Sequence, residues 1–237
     1  MKIIASNHFG SVSDVARLID HTLLKPSATK NEIHQVAEEG VAHHVAAVCV
    51  NPYWIKEVAN IMIGSGVAVC SVIGFPLGAN RADLIAEEAI HAVDDGADEI
   101  DMVINLGLAK AREWEQVQRG IVLVRNSIGK KILKVILEIC ELTDAEIETG
   151  SQIAIAAGAD FIKTSTGFGR FGATTSAVKI MRRIAGEKVG VKASGGVRTF
   201  ESLLDMVNAG ASRIGTSATP AILQQAQEYL REHKDKQ

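Results

Sequence analysis

The chain has few aromatic residues, few cysteines and no long apolar run, and each shortage excludes a class of protein. Of its 237 residues 47% are hydrophobic but only 4% are aromatic, so a large core must be built from aliphatic side chains. This composition is typical of parallel strands that are buried on both faces. No window approaches about 18 uninterrupted apolar residues, so we expect no membrane span. A formal net charge of −3 argues against nucleic acid or an anionic membrane as the main partner.

The cysteines and histidines give little support for metal or disulfide chemistry. Cys49, Cys70 and Cys140 lie in apolar, strand-like segments without Cys-x-x-Cys spacing, which is typical of reduced thiols in a cytoplasmic protein. No histidine pair has the H-E-x-x-H type of ligand spacing, and adjacent His43 and His44 should face opposite sides of a strand. We expect no metal and interpret Cys49 as a small residue that lines a site.

Short β-rich segments alternate with longer amphipathic segments along the whole chain. The longer segments, such as ADLIAEEAIHAV and SAVKIMRRIA, carry apolar residues at spacings of three and four, which predicts helices. Eight such units without a break in composition predict a single (β/α)₈ TIM barrel domain over residues 1–237. A doubly wound open sheet is the alternative. We predict strands near residues 17–20, 43–50, 67–74, 98–104, 131–138, 161–166, 190–194 and 213–217.

Two lysines interrupt consecutive apolar strands, in the segments FIK and GVK. In a TIM barrel the catalytic groups lie at the C-terminal ends of the strands, where Lys163 and Lys192 occupy equivalent positions. A neighbouring cation and partial desolvation both lower the pKa of a lysine, and the neutral amine is the form that attacks a carbonyl to give a Schiff base. The alternative is that each ammonium group simply extends to solvent.

Further charged residues also fall in apolar strands, where burial without a partner would be costly. In EIDMVIN, strand alternation places Glu99 and Asp101 on one face. Asp101 beside two lysines could carry protons as a general acid and base, or it could be their structural counter-ion. Lys134 in ILKVILE is equally consistent with a salt bridge and with a substrate contact, and Asp20 ends the first predicted strand.

Glycine-rich segments follow the last three predicted strands: STGFG, ASGG and IGTS. Their backbone N–H groups could hold an anion without a basic side chain, and the loops after strands seven and eight are the usual phosphate site of a TIM barrel. Any one segment could be a simple turn, but their coincidence favours a phosphate site. GFGRFG also matches G-x-G-x-x-G, yet the acidic residue that a dinucleotide fold requires about 20 positions later is absent.

Together these motifs resemble the deoxyribose-phosphate aldolases of the short bacterial type, and the resemblance runs along essentially the whole chain. The matching segments are IDHTLLKP (19–26), VCVNP (48–52), VIGFPLGA (72–79), EIDMVIN (99–105), LKVILE (133–138), ADFIKTSTGFG (159–169), VKASGGVRT (191–199) and RIGTS (213–217).

The resemblance implies a metal-independent class I lyase without a cofactor, which reversibly cleaves 2-deoxy-D-ribose 5-phosphate to acetaldehyde and D-glyceraldehyde 3-phosphate. By motif, Lys163 is the Schiff-base residue, Lys192 the partner that lowers its pKa and relays protons, and Asp101 the proton shuttle. The candidate substrate-binding residues are Asp20, Thr22, Cys49, Lys134 and Thr166. The candidate phosphate-binding residues are Gly167, Gly195, Gly196, Gly215 and Ser217.

The chain departs from the family pattern at two places. Ala218 stands where the family carries the second of two serines, and Arg170 with Phe171 stands where small residues are common; Arg170 could contact phosphate or point to solvent. Two alternatives remain: another class I aldolase with a different sugar phosphate, and a sugar-phosphate-binding barrel without catalysis. We expect a cytoplasmic homodimer or higher homo-oligomer.

Overall fold

A closed barrel of eight parallel strands forms the centre of the computed structural model, which describes residues 9–234. The strands pair in chain order, and β1 pairs with β8 through Asp20 and Gly215, so the barrel closes. Closure confirms the (β/α)₈ prediction and excludes the open doubly wound sheet. The strands are β1 (Ile19–Leu23), β2 (Ala47–Val50), β3 (Ala68–Ile73), β4 (Glu99–Val103), β5 (Ile132–Ile136), β6 (Phe161–Lys163), β7 (Gly190–Ser194) and β8 (Arg213–Thr216).

Helices surround the barrel and follow the strands in alternation. Several begin with a capping box, in which a hydroxyl side chain and the acidic or hydroxyl residue three positions later satisfy each other's free N–H groups, as in α2 with Thr29 and Glu32. The helices are α1 (Val12–Ala16), α2 (Lys30–His43), α3 (Ile55–Met62), α4 (Ala82–Asp94), α5 (Leu106–Lys110), α6 (Trp114–Ser127), α7 (Asp144–Ala156), α8 (Thr175–Ala185), α9 (Phe200–Asn208) and α10 (Thr219–Lys234).

The predicted strand 43–50 begins too early, and the expectation that His43 and His44 share a strand was wrong. His43 ends α2, and His44 caps that helix in the left-handed conformation with φ 52°, where its N–H donates to the carbonyls of Gly40 and Val41. Such a residue satisfies the last free carbonyls of a helix, so the strand starts only at Ala47. β6 likewise stops at Lys163, because residues 164–166 already belong to the following loop.

The barrel interior has an apolar side and an ionic side. On the side of β2 and β3, small and apolar residues fill the space in a separate buried cluster: Leu24, Ala47, Cys49, Cys70 and Val72. On the other side the inward positions carry charged residues, which are described below. The larger core lies between the strands and the helices and is almost wholly aliphatic, as the composition predicted. Among residues 9–234, no helix is both long and apolar enough to cross a membrane.

Gly78, in the loop after β3, provides a test of this packing. It has φ +63°, and a Cβ there would lie 1.9 Å from the backbone oxygen of Ile104. Gly129 has a similar φ of +57°, but a Cβ at that position would have no neighbouring atom within 4 Å. We expect Gly129→Ala to lower the free energy of unfolding by about 1 kcal/mol through backbone strain alone. Gly78→Ala should lower it by about 1–3 kcal/mol more, because the backbone must also move.

Chemical denaturation of both variants measures this difference directly. Equal losses of stability would mean that the close approach of the residue 78 loop to Ile104 is not a constraint on the fold.

Candidate active site

One buried carboxylate, that of Asp101, holds three lysines at the centre of the barrel. Its Oδ2 lies 2.7 Å from Nζ of Lys163 and 2.6 Å from Nζ of Lys192. Its Oδ1 lies 2.7 Å from Nζ of Lys134. Asp101, Lys134 and Lys192 are fully buried and Lys163 is 2% exposed, so neither Lys163 nor Lys192 extends to solvent. The interpretation of these two lysines as solvated strand ends is therefore excluded.

Strand register explains why these residues meet. Lys163 pairs with Lys192 across β6 and β7, and Asp101 pairs with Lys134 across β4 and β5. Because side chains alternate between the two faces of a strand, all four point into the barrel. Lys163 is opposite Ile136, two residues beyond Lys134, and therefore lies nearer the C-terminal mouth of the barrel. Lys134 lies deeper.

Two further carboxylates and an arginine extend the ionic cluster. Asp20 forms a salt bridge with Lys192, and its Oδ1 lies 2.7 Å from Nη1 of Arg213. Glu99 lies 2.6 Å from Nζ of Lys134 and 3.3 Å from Nη1 of Arg213. Four basic side chains thus face three carboxylates in a water-poor interior. If all were ionised the cluster would carry one surplus positive charge, which a single neutral lysine would remove.

The cluster keeps several of its members charged despite their burial. Burial disfavours the ammonium form of Lys192, but the carboxylates of Asp101 and Asp20 outweigh it and raise the pKa of Lys192. The pKa of Lys134 is also raised well above its ordinary value, chiefly by Asp101 against the cost of burial. Burial likewise opposes ionisation of Asp101, yet the surrounding lysines hold its pKa well below the ordinary range. Lys192 is therefore a fixed positive charge.

A cavity of about 350 Å³ opens at the C-terminal ends of the strands, directly above the cluster. Lys163 is the one member of the ionic cluster, within residues 9–234, that lines it. The lining of this cavity does not include Asp101, Lys192, Lys134, Asp20 or Cys49. A larger cleft of about 470 Å³ between α4 and α6 contains none of the cluster. The other sequence-predicted residues that line the upper cavity are Thr22, Thr166, Gly167, Gly195, Gly196, Gly215 and Ser217.

The glycines of the cavity wall are required by its backbone. Gly167, Gly195 and Gly196 have φ of +90°, +86° and +84°, a region that other residues rarely adopt. Gly215 leaves space for the side chain of Lys192, because a Cβ at residue 215 would lie 3.2 Å from Cε of this catalytic candidate. Replacing any of these four glycines would strain the wall or crowd the cluster.

Two basic residues on the wall were not predicted from the sequence. Lys25 follows β1 and Arg198 follows β7, and both line the cavity. The sequence signal that could have identified each as a site residue is its position just after a strand that carries another site residue. Arg170 does not join them: its guanidinium donates to Glu141 and, at 2.5 Å, to the carbonyl of Cys140. It therefore anchors its own loop to the turn after β5.

Polar groups near Ala218 are already engaged. The hydroxyl of Thr216 donates to the carbonyl of Val197 at 2.6 Å and accepts from the N–H of Ala218 at 3.0 Å. The hydroxyl of Thr166 donates to Glu138, whose sequence position marks it only as a strand-end residue. Ser217 is exposed at the mouth with its side chain available.

Among residues 9–234, Cys49, Cys70 and Asp101 could approach a metal ion, as could Asp20, Cys70 and Glu99, since the ligand atoms within each group lie within 4.8 Å. The carboxylates of both groups are already paired with basic side chains, so a metal ion in either group would meet three positive charges. These carboxylate and thiol groups therefore suit ammonium and guanidinium partners better than a metal ion. Burial raises the pKa of Cys70, whose thiol points to Asp101 at 3.2 Å.

Comparison with known proteins agrees with this geometry. A family model described as DeoC/LacD family aldolase matches residues 15–224. The chain is 51% identical over 209 residues to deoxyribose-phosphate aldolase 1 of Cutibacterium acnes, covering 88% of this chain and 96% of that protein. It is 48% identical to deoxyribose-phosphate aldolase of Brevibacillus brevis, covering 87% and 94%.

Solved structures give the same result. The deoxyribose phosphate aldolase of Aeropyrum pernix, described as a unique tetrameric structure, matches with a TM-score of 0.86 and 32% identity, over 94% of this chain and 95% of that one. With a family match along most of its length and curated relatives near 50% identity, the chain belongs to the DeoC/LacD family of aldolases.

Proposed function

We propose that the protein is a class I aldolase, a lyase that reversibly cleaves 2-deoxy-D-ribose 5-phosphate to acetaldehyde and D-glyceraldehyde 3-phosphate through a Schiff base on Lys163. The observation that carries the proposal is the position of Lys163. It is the lysine of the buried cluster that reaches the substrate-sized cavity, and it shares one oxygen of Asp101 with Lys192. Family membership supports the same reaction class.

The chemistry requires a neutral amine at Lys163 and no metal. The amine attacks the C1 aldehyde of the open-chain sugar, and loss of water leaves an iminium. Removal of the proton from the C3 hydroxyl then breaks the C2–C3 bond, because the iminium accepts the electron pair. Glyceraldehyde 3-phosphate leaves, the enamine takes a proton at C2, and hydrolysis releases acetaldehyde and restores Lys163.

Lys192 and Asp101 support these steps from below. Since the pKa of Lys192 is raised, its ammonium group is a fixed cation that favours the neutral form of the amine beside it. Asp101 remains a carboxylate and can accept a proton from Lys163, while Lys192 can donate one through the same oxygen. Asp20 and Lys134 then act by holding these two in place, since neither lines the cavity.

The phosphate of the substrate would lie among the glycines of the cavity wall. Backbone N–H groups of Gly167, Gly195, Gly196 and Gly215, with the hydroxyl of Ser217, suit an anion. Lys25 and Arg198 add positive charge at the mouth and offset the serine that Ala218 replaces. Thr22 and Thr166 lie between this region and Lys163 and would contact the sugar, and Cys49 supports the floor.

We further propose that the protein acts in the cytoplasm as a homo-oligomer. The thiols of Cys49, Cys70 and Cys140 are all buried and unpaired, as in a reducing compartment. The Aeropyrum pernix relative is described as tetrameric, and that assembly belongs to that protein.

The donor aldehyde distinguishes this function from another class I aldolase. With glyceraldehyde 3-phosphate as acceptor, we expect condensation with acetaldehyde to be much faster than with acetone or dihydroxyacetone, because an aldehyde carbonyl is smaller and accepts the amine of Lys163 more readily than a ketone does. Initial rates with the three donors measure this. A faster reaction with a ketone donor would mean that the proposed substrate is wrong. Absence of turnover with all three donors would favour a sugar-phosphate-binding protein without catalysis.

Replacing Lys192 tests the fixed charge. Lys192→Met keeps the length of the side chain but removes the cation, so we expect kcat for cleavage to fall about 100-fold or more. Asp101 keeps Lys134 and Lys163 as partners, so circular dichroism should show a folded barrel.

Lys179→Met, on helix α8 away from the cluster, is the control and should behave as the unchanged protein. A folded Lys192→Met variant that keeps the kcat of the unchanged protein would remove the charge argument.

A further inference from the structure

A second cavity of about 320 Å³ lies beside the first at the mouth of the barrel. It is bounded by the segments after β3, β4, β5 and β6, and Pro76, Leu77, Leu106 and Phe168 supply its apolar walls. We call it the apolar groove. Nothing in the reaction described above uses it, although Leu77 is 70% exposed and Phe168 is 51% exposed.

The groove and the substrate cavity share one wall. Thr166 and Phe168 line both cavities, and Thr166 is three residues from Lys163. The hydroxyl of Thr166 is occupied by Glu138, so this part of the wall is fixed. Phe168 is the other residue that lines both cavities, so it lies between the groove and the cavity that holds Lys163.

The backbone of Phe168 is pinned while its ring is lightly held. Its N–H donates to the hydroxyl of Thr166 at 3.0 Å, and the next residue, Gly169, is so close to Cys140 that a Cβ would lie 2.5 Å from the sulfur. The ring itself packs edge-on against Phe75 with centroids 5.4 Å apart. Truncating the ring should therefore open the wall without moving the loop.

The two cavities differ in the charge of their lining residues and therefore suit different ligands. The substrate cavity has Arg198 and glycine N–H groups, which suit an anion, and Lys25 beside them forms a salt bridge with Glu32. In the groove, Lys110 is bound to Glu146 at 2.8 Å and Glu141 to Arg170, and the carboxylate of Glu138 also lines the wall. An anionic phosphate would be repelled there, whereas an uncharged apolar chain would bury apolar surface.

We propose that the apolar groove is a second branch of the acceptor site, suited to the uncharged apolar tail of an aldehyde, and that the Phe168 ring is the partition that closes it. The inference rests on the proposed aldolase function. The reaction is unchanged: the enamine carbon on Lys163 forms a bond to the carbonyl carbon of the acceptor, and hydrolysis of the iminium releases the product. Phe168 thus determines which acceptor tails the enzyme accommodates.

The test compares two acceptors with acetaldehyde as donor. Glyceraldehyde 3-phosphate is the anionic acceptor and 3-phenylpropanal is the apolar one, and the ratio of their kcat/KM values is the measured selectivity. Phe168→Ala should shift this ratio toward 3-phenylpropanal by about tenfold, since a newly opened apolar pocket discriminates on this scale. Phe168→Leu should give a smaller shift in the same direction and serves if the alanine variant does not fold.

Two controls separate the partition from a general loosening of the loop. Phe171→Ala removes an equally exposed phenylalanine of the same loop that lines neither cavity, so its ratio should not change. Adding Leu77→Asp to Phe168→Ala places a charge in the groove and should return the ratio to that of the unchanged protein.

An unchanged ratio in both Phe168 variants, an equal shift in Phe171→Ala, or a shift that survives Leu77→Asp would overturn the proposal. The unchanged protein distinguishes failure of the partition from failure of the aldolase function. If it condenses acetaldehyde with glyceraldehyde 3-phosphate, the aldolase function stands and only the partition is at issue.

Discussion

The structure depends on the interaction of one carboxylate, that of Asp101, with three ammonium groups. Removing any of these charges from water is costly, so they are stable only together, within hydrogen-bond distance and in a closed barrel. This pairing fixes the positions of Lys163 and Lys192 more firmly than flexible lysine side chains would achieve alone. It also keeps Asp101 ionised and raises the pKa of Lys192. The geometry that stabilises the interior is therefore also the geometry that prepares the amine.

The barrel distributes its polarity to suit that network. Small apolar residues such as Ala47 and Cys49 fill the side of β2 and β3, whereas the charged residues lie on β1 and on β4–β8, where their partners are. The basic residues of the cluster differ in their depth along the strands and in their roles. Lys134 and Arg213 lie deep and compensate charge, whereas Lys163 reaches the cavity. The loops add the last layer, with glycines that suit an anion along the first cavity and Phe168 between that cavity and the apolar groove.

Sequence patterns predicted the barrel and the pairing of Lys163 with Lys192, because strand alternation and chain order are local properties that closure preserves. Patterns failed where a contact joins distant segments. Arg170 was expected either to contact phosphate or to point to solvent, but it is bound to the turn after β5, a partner 30 residues away. No sequence pattern singled out Arg198, which lines the cavity. The boundary at His44 was wrong because a non-glycine residue in the left-handed conformation carries no clear composition signal.

Trapping the covalent intermediate shows whether Lys163, and no deeper lysine, forms it. Treating the protein with 2-deoxyribose 5-phosphate or acetaldehyde and then with borohydride reduces any Schiff base to a stable adduct, which peptide mass spectrometry locates. We predict one modified lysine, Lys163, because it is the cluster lysine that lines the cavity. The adduct should be lost in Lys163→Arg. Absence of an adduct, or an adduct confined to Lys134 or Lys192, would contradict the assignment of Lys163 as the nucleophile.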